Sequence, residues 1–175
     1  MSTKKLTILA VCIALNTVLS SIIRIEGMAP MSTVFNIIFA TFGTFYVTLI
    51  ALVTAILRMI IFGIPPLALT GAVFGAILAG IGYKLSKSIF GAWFGEFVGT
   101  GIIGSIISVP VMKIFMDLDS NAVWFLYTPR FVGATIIGGI IAVVIYSSLK
   151  NSRAFKNIQE IFDKEHDHNS TYRKS

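Results

Sequence analysis

Chemistry-bearing side chains are scarce in this chain. A single cysteine, Cys12, among 175 residues excludes a disulfide framework or a cysteine metal site within one chain. The two histidines, His166 and His168, both lie in the C-terminal tail, so none stands in an apolar run. There is no G-x-x-x-x-G-K-[ST] loop and no H-E-x-x-H motif, so neither a P-loop ATPase nor a helical zinc protease is encoded. No Ser/His/Asp or Asp/Asp set lies at matching depth, which leaves a hydrolase unsupported. The chain reads as a non-enzyme without a cofactor or metal.

Charge is scarce too, at 13% of residues, and apolar residues fill the space at 55%. The mean hydropathy is +0.86. A soluble domain of this size has too little interior to hide that much apolar surface. The net charge of +6 does not point to nucleic acid, because the cations sit at the ends of apolar runs, where they orient a membrane protein.

The longest apolar stretch, residues 31–62, carries one charge, Arg58. As one helix it would run roughly 48 Å, against a bilayer core of about 30 Å. It is either one steeply tilted helix or two short ones folded back at Gly43. The other runs are 6–23, 67–83, 89–111 and 129–149. With two spans in 31–62 the total is six, and Lys4, Lys5, Lys84, Lys87, Lys150, Arg153 and Lys156 share one side. With one span they divide between both sides. The cytoplasmic excess of Lys and Arg favours an all-α bundle of six transmembrane helices with both termini cytoplasmic. Runs of this length exclude barrel strands. Residues 1–150 form the membrane domain and 151–175 a polar cytoplasmic tail, partly disordered. Phe155, Ile158, Ile161 and Phe162 allow a short interfacial helix there. The His166-Asp167-His168 triplet reads as solvated. The first run reads as a retained helix rather than a cleaved signal.

Small residues recur at four-residue spacing in Gly71/Gly75, Ala72/Ala76/Gly80, Gly91/Gly95/Gly99 and Ala134/Gly138, a pattern that lets helices pack closely. On the first helix, Thr7, Ala10, Ala14, Thr17 and Ser21 share a narrow sector and Asn16 lies across from them. Two arrangements stand. Either Asn16 turns inward and the strip meets another protein, or both pack inside the bundle.

Ionisable residues within spans are costly and often functional. Glu96 lies well inside the fifth span, and Thr100, Gly104 and Ser108 follow it at four-residue steps. A structural hydrogen bond and a ligand contact are both open for it. Arg58 is read as snorkelling outward, and Arg130 as an interfacial anchor or a binding residue. Asn36, Glu96, Trp124, Tyr127 and Arg130 would together make a small-molecule site if the outer helix ends converge, with aromatic walls and a few placed polar groups. A self-sufficient small secondary transporter or channel is a competing class, although no internal repeat is seen. A membrane chaperone or structural subunit is another.

The chain resembles a substrate-binding (S) component of an energy-coupling-factor (ECF) vitamin transporter over about residues 5–150. The resemblance rests on size, span number and Ala10-x-x-x-Ala14 in the first helix. More narrowly it resembles the ThiW group, assigned to the thiazole moiety of thiamine. The residues are Ala29-Pro-Met31, Leu57-Arg58, Leu69-Thr-Gly-Ala-Val-Phe-Gly-Ala-Ile-Leu-Ala-Gly80 and Gly95-Glu96-Phe-Val-Gly99-Thr-Gly101-Ile-Ile-Gly104. The resemblance implies a protein in the cell membrane of a bacterium or archaeon that captures a vitamin precursor from outside. Its partners would be a transmembrane coupling subunit, docked at Ala10 and Ala14, and two ATPase subunits that drive toppling and release inside. Another vitamin ligand within the same class is the nearest alternative.

Overall fold

The computed structural model describes residues 3–25, 28–116 and 125–171. Among these the elements are helical: α1 (Thr3–Ile22), α2 (Pro30–Phe39), α3 (Thr44–Phe62), α4 (Leu67–Ser86), α5 (Ile89–Glu96), α6 (Ser105–Met116), α7 (Thr128–Leu149) and α8 (Arg153–Thr171). A π-helical segment, Phe97–Gly104, joins α5 to α6 into one continuous apolar rod, Ile89–Met116. With α1, α3, α4 and α7, that rod makes five helices long and apolar enough to cross a membrane.

The long apolar stretch is two helices. A 3-10 turn, Ala40–Phe42, ends α2, and Gly43 then takes φ +107°, a conformation that favours glycine. Pro30 opens α2 where its missing N–H costs nothing. Together α2 and the 3-10 turn form a short apolar element, Pro30–Phe42, roughly 20 Å long and so shorter than a bilayer core. Eight of the ten α2 residues are buried, so it is the central rod of the bundle.

The outer surface is apolar. Leu6, Val11, Leu15, Val18, Phe45, Ile60, Phe94, Ile140 and Val144 are exposed, as lipid-facing positions are. Inside, small residues dominate. The α4 and α5–α6 backbones lie against each other: a Cβ on Gly95 would meet the Leu78 carbonyl oxygen at 2.0 Å, and one on Gly99 the Phe74 oxygen at 2.4 Å. A Cβ on Gly138 of α7 would strike the Pro30 oxygen of α2 at 2.5 Å. The small-residue stripes therefore serve packing within the bundle.

One end of the bundle gathers the α1–α2 and α3–α4 junctions and the start of α7. The opposite end is closed by aromatics. There Phe162 of α8, 1% exposed, stacks on Phe42 at 4.9 Å and meets Tyr46 edge-on at 4.7 Å. The Lys5 ammonium lies 5.5 Å from the Tyr46 ring and 5.7 Å from that of Phe162. Phe155 is buried in the same core. So α8, read from sequence as interfacial, sets its apolar face into the bundle.

Gly95→Ala should lower stability by about 1–3 kcal/mol, because the new methyl group meets rigid backbone. Gly133→Ala, which meets the flexible thioether of Met28 at 2.9 Å, should be close to neutral. Thermal unfolding of both variants in detergent checks the difference.

Candidate functional site

At the end where the α1–α2 and α3–α4 junctions meet the start of α7, a cavity of about 190 Å³ enters the bundle. That is below the ~300 Å³ lower end for drug-sized ligands, so it suits one ring with a short arm. Its walls come from α2, α3, α4, α7 and the fifth rod, and from the α1–α2 and α3–α4 connections.

Its polar floor is built around Glu96. The side chain is 1% exposed and projects from the end of α5, where the π segment begins. The amide nitrogen of Asn36, on α2, lies 3.2 Å from both carboxyl oxygens and 3.1 Å from the Ala72 carbonyl. The Thr100 hydroxyl reaches Oε1 at 2.9 Å and the Gly71 carbonyl at 2.9 Å. Thr33, one turn before Asn36 on the same face of α2, also hydrogen-bonds the carboxyl. These partners are neutral, so the group is held by hydrogen bonds rather than by an ion pair. Gly75 makes the room: a Cβ there would lie 2.5 and 2.7 Å from the Glu96 carboxyl oxygens and 2.0 Å from the Thr100 hydroxyl. The polar stripe continues along the rod, with Ser108 2.5 Å from the Thr70 hydroxyl of α4.

The upper wall carries arginines. Arg58 sits on the last full turn of α3. That turn is fixed by Gly63 in the left-handed region, φ +60°, whose N–H bonds the Arg58 carbonyl, as does that of Ile64 at 3.3 Å. This is a glycine C-cap closing on the turn. The side chain does not snorkel. It is 2% exposed, lines the cavity, and donates from Nη2 to the Ser20 carbonyl of α1 at 3.2 Å. Its face of α3 looks toward α1, which blocks the outward route. Arg24 and Arg130 also line the cavity, both exposed at its mouth.

Tyr127 is buried and lines the cavity beside Phe131, whose ring occupies the space a side chain at Gly71 would need. The Ser105 and Thr128 hydroxyls, 3.1 Å apart, tie the start of α7 to α6 and so fix this corner.

Of the residues read from sequence as a site, Glu96, Tyr127 and Arg130 line one cavity, and Asn36 is bonded to Glu96 behind its wall. Trp124 lies outside the described residues. Ala10 and Ala14 do not line this cavity and lie on the exposed face of α1, while Asn16 is 1% exposed and turned inward. The strip is not exposed throughout, because Thr17 is buried. The sequence reading did not place Thr33, Thr100 or Arg58 in the site. The sharing of one helical face by Thr33 and Asn36 was the available signal for the first. A charge within a span was the signal for Arg58.

A family model described as thiamine-precursor transporter protein (ThiW) matches residues 6–152. The chain belongs to the ThiW family. No curated protein and no solved structure matches it. ThiW proteins are transporters rather than enzymes, in keeping with the apolar helices and the small polar-floored cavity. The match spans all the helices that line the cavity.

Asn36→Ala removes a donor from a buried carboxyl group, and Gly75→Ala crowds it. Each should cost about 1–3 kcal/mol, measured as a lower unfolding temperature in detergent for the purified protein.

Proposed function

We propose that this ThiW protein is the substrate-capture component of an ECF-type importer for a thiamine precursor, with hydroxyethylthiazole as its ligand. The observation that carries this reading is a small cavity with a hydrogen-bonded carboxyl floor, in a chain whose family transports thiamine precursors. A thiazole is a compact aromatic ring. It needs a flat apolar wall and one or two hydrogen bonds. Tyr127 and Trp124 supply the wall in this reading. Asn36, Glu96 and Arg130 are the polar contacts or hold them, with Glu96 meeting the hydroxyethyl arm.

The protein sits in the cell membrane of a bacterium or archaeon as six spans, the short α2 counted among them, with both termini cytoplasmic. The cavity then opens outward. Capture from outside is followed by docking of the exposed Ala10/Ala14 strip on a transmembrane coupling subunit. Two ATPase subunits supply the energy, and the bundle topples to release its ligand inside. The small side chains of that strip suit close helix contact.

Binding and docking should separate by mutation. Glu96→Gln should weaken hydroxyethylthiazole binding by about tenfold or more, 1.4 kcal/mol, and Trp124→Ala by at least as much. Ala14→Trp should leave binding nearly intact and abolish uptake in vesicles that contain the ATPase subunits. Uptake by the chain alone, without those subunits, would instead favour a self-sufficient transporter.

Topology has its own check. Ser2→Cys and Ser152→Cys, each in a Cys12→Ser background, should label from the same side of the membrane. Labelling from opposite sides would mean an odd number of spans and remove the six-span arrangement.

A further inference from the structure

The cavity's charge is lopsided. Among the described residues, three arginines, Arg24, Arg58 and Arg130, line it against a single acidic residue, Glu96. Glu96 does not neutralise them, because its bonds go to Asn36, Thr33 and Thr100. The most telling group is Arg58. Arg58 is 2% exposed, and among the described residues its side chain makes one hydrogen bond, to a backbone carbonyl, while its Nε–H has no partner. Arg24 stands near enough to repel it. A buried guanidinium offers five donors in a planar fork. Leaving it without an anion is expensive, since burying an unpaired charge costs several kcal/mol. Planar, forked recognition of carboxylate or phosphate is what arginine does best. A neutral ring with a hydroxyl arm offers such a group only single, uncharged acceptors.

We propose that the mouth of the cavity is an anion subsite, and that the carried molecule is a thiazole bearing a phosphate ester or carboxylate at the end of its arm. The inference rests on the thiamine-precursor reading and revises its ligand: the neutral hydroxyethylthiazole is replaced by an anionic thiazole, whose arm turns to the arginines rather than to Glu96. The anionic group meets Arg58, with Arg24 and Arg130 closing on it from the rim. The ring then points down toward Tyr127 and the Glu96 floor. A dianionic phosphate would offset the excess of two positive charges that the described lining residues carry when Glu96 is ionised. Arg58 is then a specificity-determining residue, choosing the charged ligand over the neutral one.

The test is a binding titration on purified wild-type protein in nanodiscs of zwitterionic lipid. The probes are hydroxyethylthiazole, its phosphate ester, the thiazole acetate, the aminopyrimidine half of thiamine and inorganic phosphate. An anionic thiazole should bind about tenfold or more tighter than the neutral alcohol, and its affinity should fall as salt rises. Arg58→Gln should erase that preference while retaining the neutral alcohol. Because a buried arginine can be needed for folding, Arg130→Gln and Arg24→Gln provide exposed alternatives, each expected to reduce the preference several-fold. Equal or tighter binding of the neutral alcohol overturns the proposal and leaves the thiazole reading standing. Binding of the pyrimidine half in place of any thiazole would reject the thiazole reading itself. Loss of the preference when the nanodiscs contain phosphatidylglycerol would assign the arginines to a lipid headgroup and also overturn it. A preference that persists there supports a soluble ligand.

Discussion

A carboxyl group buried in an apolar bundle sets the terms for the rest of this structure. Glu96 is 1% exposed, and a polar group so placed is costly unless its hydrogen bonds are made. Three segments converge to make them: α2 brings Thr33 and Asn36, the π segment brings Thr100, and α4 brings a glycine that leaves space. That convergence explains why so short a helix as α2 occupies the centre. It is placed there to reach the carboxyl group, and its other faces are filled by small residues of α7 and α4. The glycines follow from the same need. With α4 and the fifth rod in backbone contact, Gly95 and Gly99 leave no thickness for side chains, while Gly71 and Gly75 leave room for Phe131 and for Glu96 with Thr100.

Much of this was legible in the sequence, and for identifiable reasons. Gly43 marked a break because the apolar stretch was too long for one span. Glu96 stood out as a charge that no membrane helix carries without a partner. The small-residue stripes announced close packing. What the sequence hid concerns direction and partners. Arg58 lies near a span end, where snorkelling is the usual solution. Only the approach of α1 shows that its outward path is closed. The docking of α8 was hidden because Phe155, Ile158 and Phe162 have the same spacing whether they face lipid or protein. The π segment was hidden because glycine-rich Gly99-Thr-Gly101-Ile-Ile-Gly104 has weak preference for any helix, so its contacts decide its winding.

The two ends of the bundle differ in kind. One is polar, open and lined by arginines. The other is sealed by stacked Phe42, Tyr46 and Phe162 with a lysine over the rings. Among the described residues the cavity opens at one end, and the aromatic cluster lies at the other.

The winding of the fifth rod carries a further consequence. A π turn takes up one more residue than an α turn, so the segment between Glu96 and Ser105 works as a spacer that resets the phase of everything after it. Ser105 faces Thr128 and Ser108 faces Thr70 only in that phase. The length of this stretch, and not its composition alone, is therefore under constraint. Loss of one residue would let it relax to an ordinary helix, leaving Glu96 in place but rotating α6 away from α7. The floor of the cavity and its Tyr127 wall are thus kept in register by a surplus residue that neither of them contains.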